Sequence, residues 1–317
     1  MSEQTETGGP HAARGPSAPA LCVGETLVDL ICERPVASFD EADSFVPHPG
    51  GAPTNVAVVA AREGAAVGIA GGVGDDAWGR RLERRLRAEG VDLRFWRRLP
   101  GEETAVAFAV LDRDAVPEFL IYGDGIRAAM LALEPIAEEA VAASSAVVLG
   151  SNTMVGEAER RVSLSLRELA LAAGAHVLFD WNLRLHRWRD PREAAEVARA
   201  VCESALLVKV NADEARLLTG EADPARAAEA VCGLGCRLAL VTLGAQGALL
   251  RGEASAEAPG VPAVVVDTTG AGDALLGVVL AALVGSGYDP AAAAAALPRA
   301  VELAARTTEA FGAIDAL

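Results

Sequence analysis

A chain of 317 residues that is 51% hydrophobic can bury a large core, enough for one big α/β domain or two medium ones. Its net charge of −16, from 28 Lys and Arg against 44 Asp and Glu, argues against a binder of nucleic-acid backbones or of anionic membranes. Five cysteines (Cys22, Cys32, Cys202, Cys232 and Cys236) sit in apolar segments and read as buried thiols, and with only four histidines no zinc site is expected.

Residues 1–19 are polar, rich in Gly, Pro and Ala and without an apolar centre, so a disordered tail is expected rather than a signal peptide. "ALCVGETLVDLIC" (20–32) reads as a buried strand that breaks at its end. "GGAPTNVAVVAAREG" is a glycine-led apolar helix, "AAVGIAGGVG" a strand, and "DDAWGRRLERRLRAEG" an amphipathic helix with an acidic start and a basic body. Residues 103–123 read as two strands joined by the turn "DRDAVP", an antiparallel hairpin. Strand–helix alternation then resumes from "SAVVLG" through "HVLFDWN", "ALLVKVN" and "RLALVTLG" to "GALLRG". "AVVVD" (263–267) reads as an apolar strand running into the turn Gly270–Asp273, and two alanine-rich helices, about 274–285 and 290–308, close the chain. Repeated β-α-β units predict an α/β fold with a central, mostly parallel sheet covered by helices on both faces. The segments at about 28–48 and 100–125 predict a small β-sheet lid standing off it. The longest apolar run is too short to span a bilayer, so a soluble, cytoplasmic protein is expected.

The turn Gly270-Ala271-Gly272-Asp273 carries the chemistry. Ligands of open α/β sheets bind beyond the carboxyl ends of the strands, and glycines at a helix start let backbone amides converge on an anion. Asp273 there is either a helix cap or a general base beside a phosphoryl group. No G-x-x-x-x-G-K-[ST] occurs, and "GGVGDD" lacks the third glycine of a dinucleotide fingerprint, which leaves a P-loop enzyme out and an NAD enzyme weakly supported.

Residues 50–79 and 267–283 closely resemble the two diagnostic motifs of the ribokinase-like (pfkB family) carbohydrate kinases. "GETLVD", "FDWNLR", "VNADEARLLTG" and "VTLGAQG" follow in matching order, so the resemblance covers residues 20–317. It implies an ATP-dependent sugar kinase of ribokinase-like fold. Asp273 would be the base, and the amides of Gly270, Ala271 and Gly272 the anion hole. Asp29, Gly50, Gly51 and Asn55 match sugar contacts, joined by Tyr122 and Arg184. Asn211 and Glu214 match an N-x-x-E motif that organises Mg²⁺ largely through water. Asn182, Lys209, Thr242, Gly244 and Gly247 match nucleotide contacts, although Lys209 also reads as a strand-end residue with its stem in apolar surroundings. Val301 and Ala304, taken as lying in the penultimate helix, would line an adenine slot, with ordinary helix core the equal alternative. Asp267, Thr269 and Gly312 match positions that hold K⁺ in many members.

"FDWNLRLHRW" resembles the fructokinase and 2-keto-3-deoxygluconate kinase branches, with Trp181 in place of a proline. Gly123 stands where those branches carry a lid Arg, and Asp124 follows it. An acid sugar needs a cation for its carboxylate, so a neutral hexose, fructose, is the preferred substrate unless Arg127 compensates. A nucleoside kinase of the same superfamily and a catalytically silent sugar sensor are the alternatives. A homodimer through the lid is expected from the resemblance.

Overall fold

The computed structural model describes residues 18–113 and 115–317. All but the last two residues of the expected tail, and Asp114 of the hairpin turn, lie outside them. The segment read as one strand at 20–32 forms two, β1 (Ala20–Val23) and β2 (Leu27–Ile31). Gly24 makes the break: at φ +146° it turns the chain out of one sheet and into another. In chain order there follow β3 (Val46–Gly50), α1 (Ala52–Arg62), β4 (Val67–Gly74), α2 (Ala77–Ala88) and β5 (Trp96–Leu99). The hairpin is β6 (Val106–Leu111) and β7 (Pro117–Tyr122), then come α3 (Gly125–Leu131), α4 (Ala137–Ala142), β8 (Ala146–Gly150) and α5 (Glu157–Ala172). β9 (His176–Asp180), α6 (Pro191–Cys202), β10 (Leu207–Asn211), α7 (Ala212–Thr219) and α8 (Pro224–Cys232) continue the alternation. The chain ends with β11 (Leu238–Thr242), β12 (Gly247–Gly252), β13 (Ala256–Pro259), α9 (Ala271–Gly285) and α10 (Pro290–Thr307).

Nine strands form one sheet in the order β13-β12-β11-β10-β9-β8-β1-β4-β5, parallel from β11 to β5 and antiparallel at the β12 and β13 edge. Its inner strands are buried on both faces, and successive residues supply two separate cores. Cys22, Ile69, Val148 and Leu240 pack under α1, α9 and α10, while Leu21, Val147, Phe179 and Val241 pack under α5, α6 and α8. Helix starts are fixed locally: Asp76, Asp190, Asp223 and Asp289 each cap a helix through a side-chain oxygen. One expected strand is absent. "AVVVD" pairs with nothing as a strand, and Val264 and Val265 are 78% and 49% exposed; the sheet edge is instead the less apolar β13.

β3-β2-β6-β7 make a second, four-stranded sheet. Its inner face carries Leu27, Asp29, Ala107, Phe119 and Ile121. On its outer face Phe45, Phe108 and Tyr122 meet edge to face, at ring separations of 5.0 and 5.6 Å. Among the described residues no helix is long and apolar enough to cross a membrane, and no cluster of His, Cys, Asp or Glu is arranged to hold a metal. All five cysteines are free thiols.

Candidate active site

A cavity of about 590 Å³ lies between the C-terminal ends of the large sheet and the inner face of the small one. Its floor comes from residues at or just past the ends of β1, β8, β9, β10 and β11, where an open α/β sheet presents its loops. The two halves touch directly. Thr268 donates through its hydroxyl to the Ala115 carbonyl at 2.9 Å, and the Arg184 guanidinium lies 5.4 Å from the Phe119 ring centre.

At one end of the cavity α9 begins. Its N-cap is Gly270, in the left-handed region at φ +78°, so Asp273 is not the cap. Asn55 Nδ2 on α1 donates to Asp273 Oδ2 at 2.8 Å. Burial pushes the Asp273 carboxyl up to about 6, helped by the Asp180 charge and opposed by Lys209, Asn55 and Arg184. At the start of α9 the Ala271 amide makes only a long bond to the Thr268 carbonyl, at 3.4 Å, and the helix presents the positive end of its dipole there. A Cβ at Gly272 would stand 2.8 Å from Lys209 Nζ, so glycine here lets an ammonium settle onto the turn. Helix-start amides, a cation and a carboxylate raised toward neutrality thus share one helix start.

Asp29 on β2 is 5% exposed and pushed up to about 7 by burial and by the charges of Asp267 and Asp273. A Cβ at Gly50 would fall 2.1 Å from an Asp29 carboxylate oxygen, so this glycine makes room for Asp29 but does not itself line the cavity. Gly51 does line it, at φ +102° and with a Cβ position 2.3 Å from the Glu25 carbonyl oxygen. Tyr122, expected at the sugar, turns away from it. Strand alternation puts Phe119 and Ile121 inward and leaves Tyr122 on the outer face, 57% exposed.

Asn211 and Glu214 form a reciprocal capping box at the start of α7. Glu214 Oε2 accepts from the Asn211 amide at 2.7 Å and Oε1 from the Leu183 amide at 2.6 Å. Burial raises the Glu214 pKa, and Lys209 opposes it. Trp181, where the resemblance anticipates proline, is fully buried, and its amide donates to the Lys209 carbonyl at 3.0 Å, a bond no proline could make. Asn182 follows at φ +36° and lines the cavity with Arg184.

The fully buried Asp267 accepts from the Thr269 amide at 2.8 Å and from the Gly312 amide at 3.1 Å, which brings all three expected cation residues together. Thr242 lines the cavity; Gly244, Gly247, Ala271, Val301 and Ala304 do not. Val301 is buried in the core and Ala304 packs against it, on α10, which is the last helix and not the penultimate one. The sequence reading assigned nothing to Glu25, Asn152, Phe119 or Asp180. Of these, Glu25 and Asp180 carried a signal, each a carboxylate at a strand end inside a matching motif ("GETLVD" and "FDWNLR").

The doubly wound body with its separate small sheet is a ribokinase-like fold, and it places a buried carboxylate at a glycine-led helix start. A profile described as pfkB family carbohydrate kinase matches residues 18–317, and the chain belongs to that family. It is a sugar phosphotransferase. Fructokinase-1 of Oryza sativa subsp. japonica is 34% identical over 272 residues, 85% of this chain and 84% of the relative. The Vibrio cholerae fructokinase crystallised with fructose, ADP and calcium superposes with a TM-score of 0.79 at 28% identity, covering 95% of this chain and 96% of its own. The Salmonella enterica aminoimidazole riboside kinase, complexed with its riboside and an ATP analogue, gives 0.77 at 29% identity, over 94% and 96% of the two chains.

Proposed function

We propose that the protein transfers the γ-phosphoryl group of MgATP to a hydroxyl of fructose. The observation that carries this reading is Asp273, held by Asn55 at the glycine-led start of α9 and raised to about 6. The sugar hydroxyl attacks the γ-phosphorus and a new O–P bond forms as the bond to the β,γ-bridging oxygen breaks. ADP leaves, and the hydroxyl proton passes to the Asp273 carboxylate. Amides at Gly270–Gly272 and the Lys209 ammonium face the charge that spreads over the phosphoryl oxygens. Asp29, Gly51 and Asn55 orient the sugar, and the small sheet acts as the lid that keeps water out.

Mg²⁺ supplies charge neutralisation of the ATP phosphates when bound. Both Glu214 oxygens already accept backbone amides, which suits a magnesium ion held by Asn211 and Glu214 through its waters. The Thr269 hydroxyl is buried without a partner among the described residues, beside the Asp267 carboxylate, and suits K⁺. ATP would run over Asn182, Lys209 and Thr242. The outer face of the lid, with Leu120 and Tyr122 exposed, suits a homodimer, and a cytoplasmic setting suits the free thiols.

Arg127 is exposed on α3 and borders a separate hollow with Glu157 and Arg161, which counts against it as a partner for a substrate carboxylate. Arg184 does line the cavity, and for that reason 2-keto-3-deoxygluconate is the second reading. A nucleoside is less suited, since Phe119 is the one aromatic ring among the lining residues. The test is kcat/KM at saturating MgATP for fructose, 2-keto-3-deoxygluconate, ribose and adenosine. Fructose should be fastest; a lead for the keto acid or a nucleoside overturns the assignment.

A further inference from the structure

Lys209 is the only lysine among the chain's 28 Lys and Arg. It stands side by side with Asp180 in the β9–β10 register, and its Nζ lies 2.9 Å from Asp180 Oδ1 with both side chains almost sealed from solvent, at 6% and 5% exposure. No hydrogen-bond donor of the described residues reaches either Asp180 oxygen besides that ammonium. Two charges taken out of water at one spot are a weak source of stability, and such a pair calls for a reason other than holding the fold.

The neighbouring carboxylates supply one. Besides Asp180, the charges acting on Lys209 are Glu214 and Asp273. Glu214 is engaged by the Asn211 and Leu183 amides. With Asp180 gone, the ammonium at Gly272 is left with Asp273 as the nearby carboxylate whose lone pairs are least engaged, and a base paired to a cation is a weaker base. Resting on the reading of Asp273 as the base, we propose that Asp180 is a positioning residue for phosphoryl transfer: it holds the Lys209 ammonium over the Gly272 backbone, on the phosphoryl path, and keeps it from quenching Asp273. Its own negative charge acts in the same sense, since it raises Asp273 while Lys209 and Arg184 lower it; Asp29, across the cavity, and Glu214, beside Lys209, complete the charged groups around the base.

The test is Asp180→Asn, of equal size, with Asp180→Ser as the second variant should the first not fold. Turnover of MgATP with the fastest sugar of the panel is followed between pH 5 and 9, with Asp273→Asn alongside. Wild type should lose kcat/KM for the sugar as pH falls through about 6. Both Asp180 variants should move that limb down by roughly one unit, the small end of what an adjacent cation does to a carboxylate. They should also lower kcat about tenfold or more, the loss of basicity and of a placed cation together, with KM for the sugar little changed. The single lysine gives a readout independent of turnover. In protein carrying ¹³Cε-lysine, the Lys209 resonance should report the same titration and the same displacement. An unshifted limb with unchanged kcat in a folded Asp180 variant overturns the proposal while leaving the base intact. Full activity of Asp273→Asn overturns the base, and the proposal with it.

Discussion

On the proposal that Asp273 is the base, Asp273→Asn should separate activity from stability, because its buried carboxylate would serve the first and harms the second. Its pKa rises from 3.8 to about 6 in the fold, which at about 1.4 kcal/mol per unit is a penalty near 3 kcal/mol at neutral pH. An acid raised in the native state destabilises it wherever the group is ionised, and the penalty fades as pH falls through about 6. Asparagine carries no charge to desolvate, and its amide oxygen can still accept from Asn55, which now donates at 2.8 Å. The variant should therefore melt at or above the wild-type temperature at pH 7.5, by up to about 5 °C, since part of the gain is lost to burying an amide. The stability difference should shrink toward pH 5. Phosphorylation should fall by roughly 10²–10⁴-fold, the usual worth of a positioned base. The assays are scanning calorimetry across pH and a coupled ADP-release rate. Near wild-type turnover, or a clear drop in melting temperature without a pH trend, refutes the reasoning.

How much of this was legible in the sequence depended on where pattern and function coincide. The β-α-β alternation, the hairpin and the glycine turn follow from periodicities that the cores at both sheet faces require, and these are local signals. Gly24 is different. Thirteen mostly apolar residues read as one strand because nothing in their composition tells a continuation from a change of sheet, which only the neighbours of Thr26 and Leu27 decide. "AVVVD" failed for the converse reason: β-branched residues favour a strand only where an edge is offered, and β13 already holds that edge. Tyr122 shows the one-residue sensitivity of a strand, whose face is fixed by register and not by residue type. The pairing of Asp180 with Lys209 joins residues on separate strands, and no spacing rule could have linked them.

Three further perturbations follow from the same geometry. Glu214→Ala should break the α7 capping box, cost about 1–2 kcal/mol in denaturant unfolding, and raise the Mg²⁺ concentration needed for half-maximal rate; an unchanged Mg²⁺ requirement would separate cap from metal. Asp267→Asn sets a donor against the Thr269 or the Gly312 amide and should lower stability by about 1–3 kcal/mol, which equilibrium unfolding would detect and a wild-type midpoint would contradict. His48, directly across from Asp29 in the β2–β3 ladder, ties the small sheet to the segment at Asp315. Its Nδ1 lies 3.0 Å from Asp315, which also binds Arg85, and its Nε2 lies 2.9 Å from Glu33. The hydrogen bond to Asp315 raises its pKa above 6.5, with Glu33 adding to it against the cost of burial. For a base raised in the fold, the contribution is complete below the unfolded value and disappears as pH climbs through the folded one. Only imidazolium can donate to both carboxylates at once, so above that pH one nitrogen turns a lone pair on an anion. The unfolding free energy of wild type relative to His48→Gln should therefore be largest near pH 6 and shrink as pH is raised toward 9. A difference that stays constant over that range would mean that His48 bridges the small sheet as a neutral ring, and that its two carboxylate partners do not hold the proton on it.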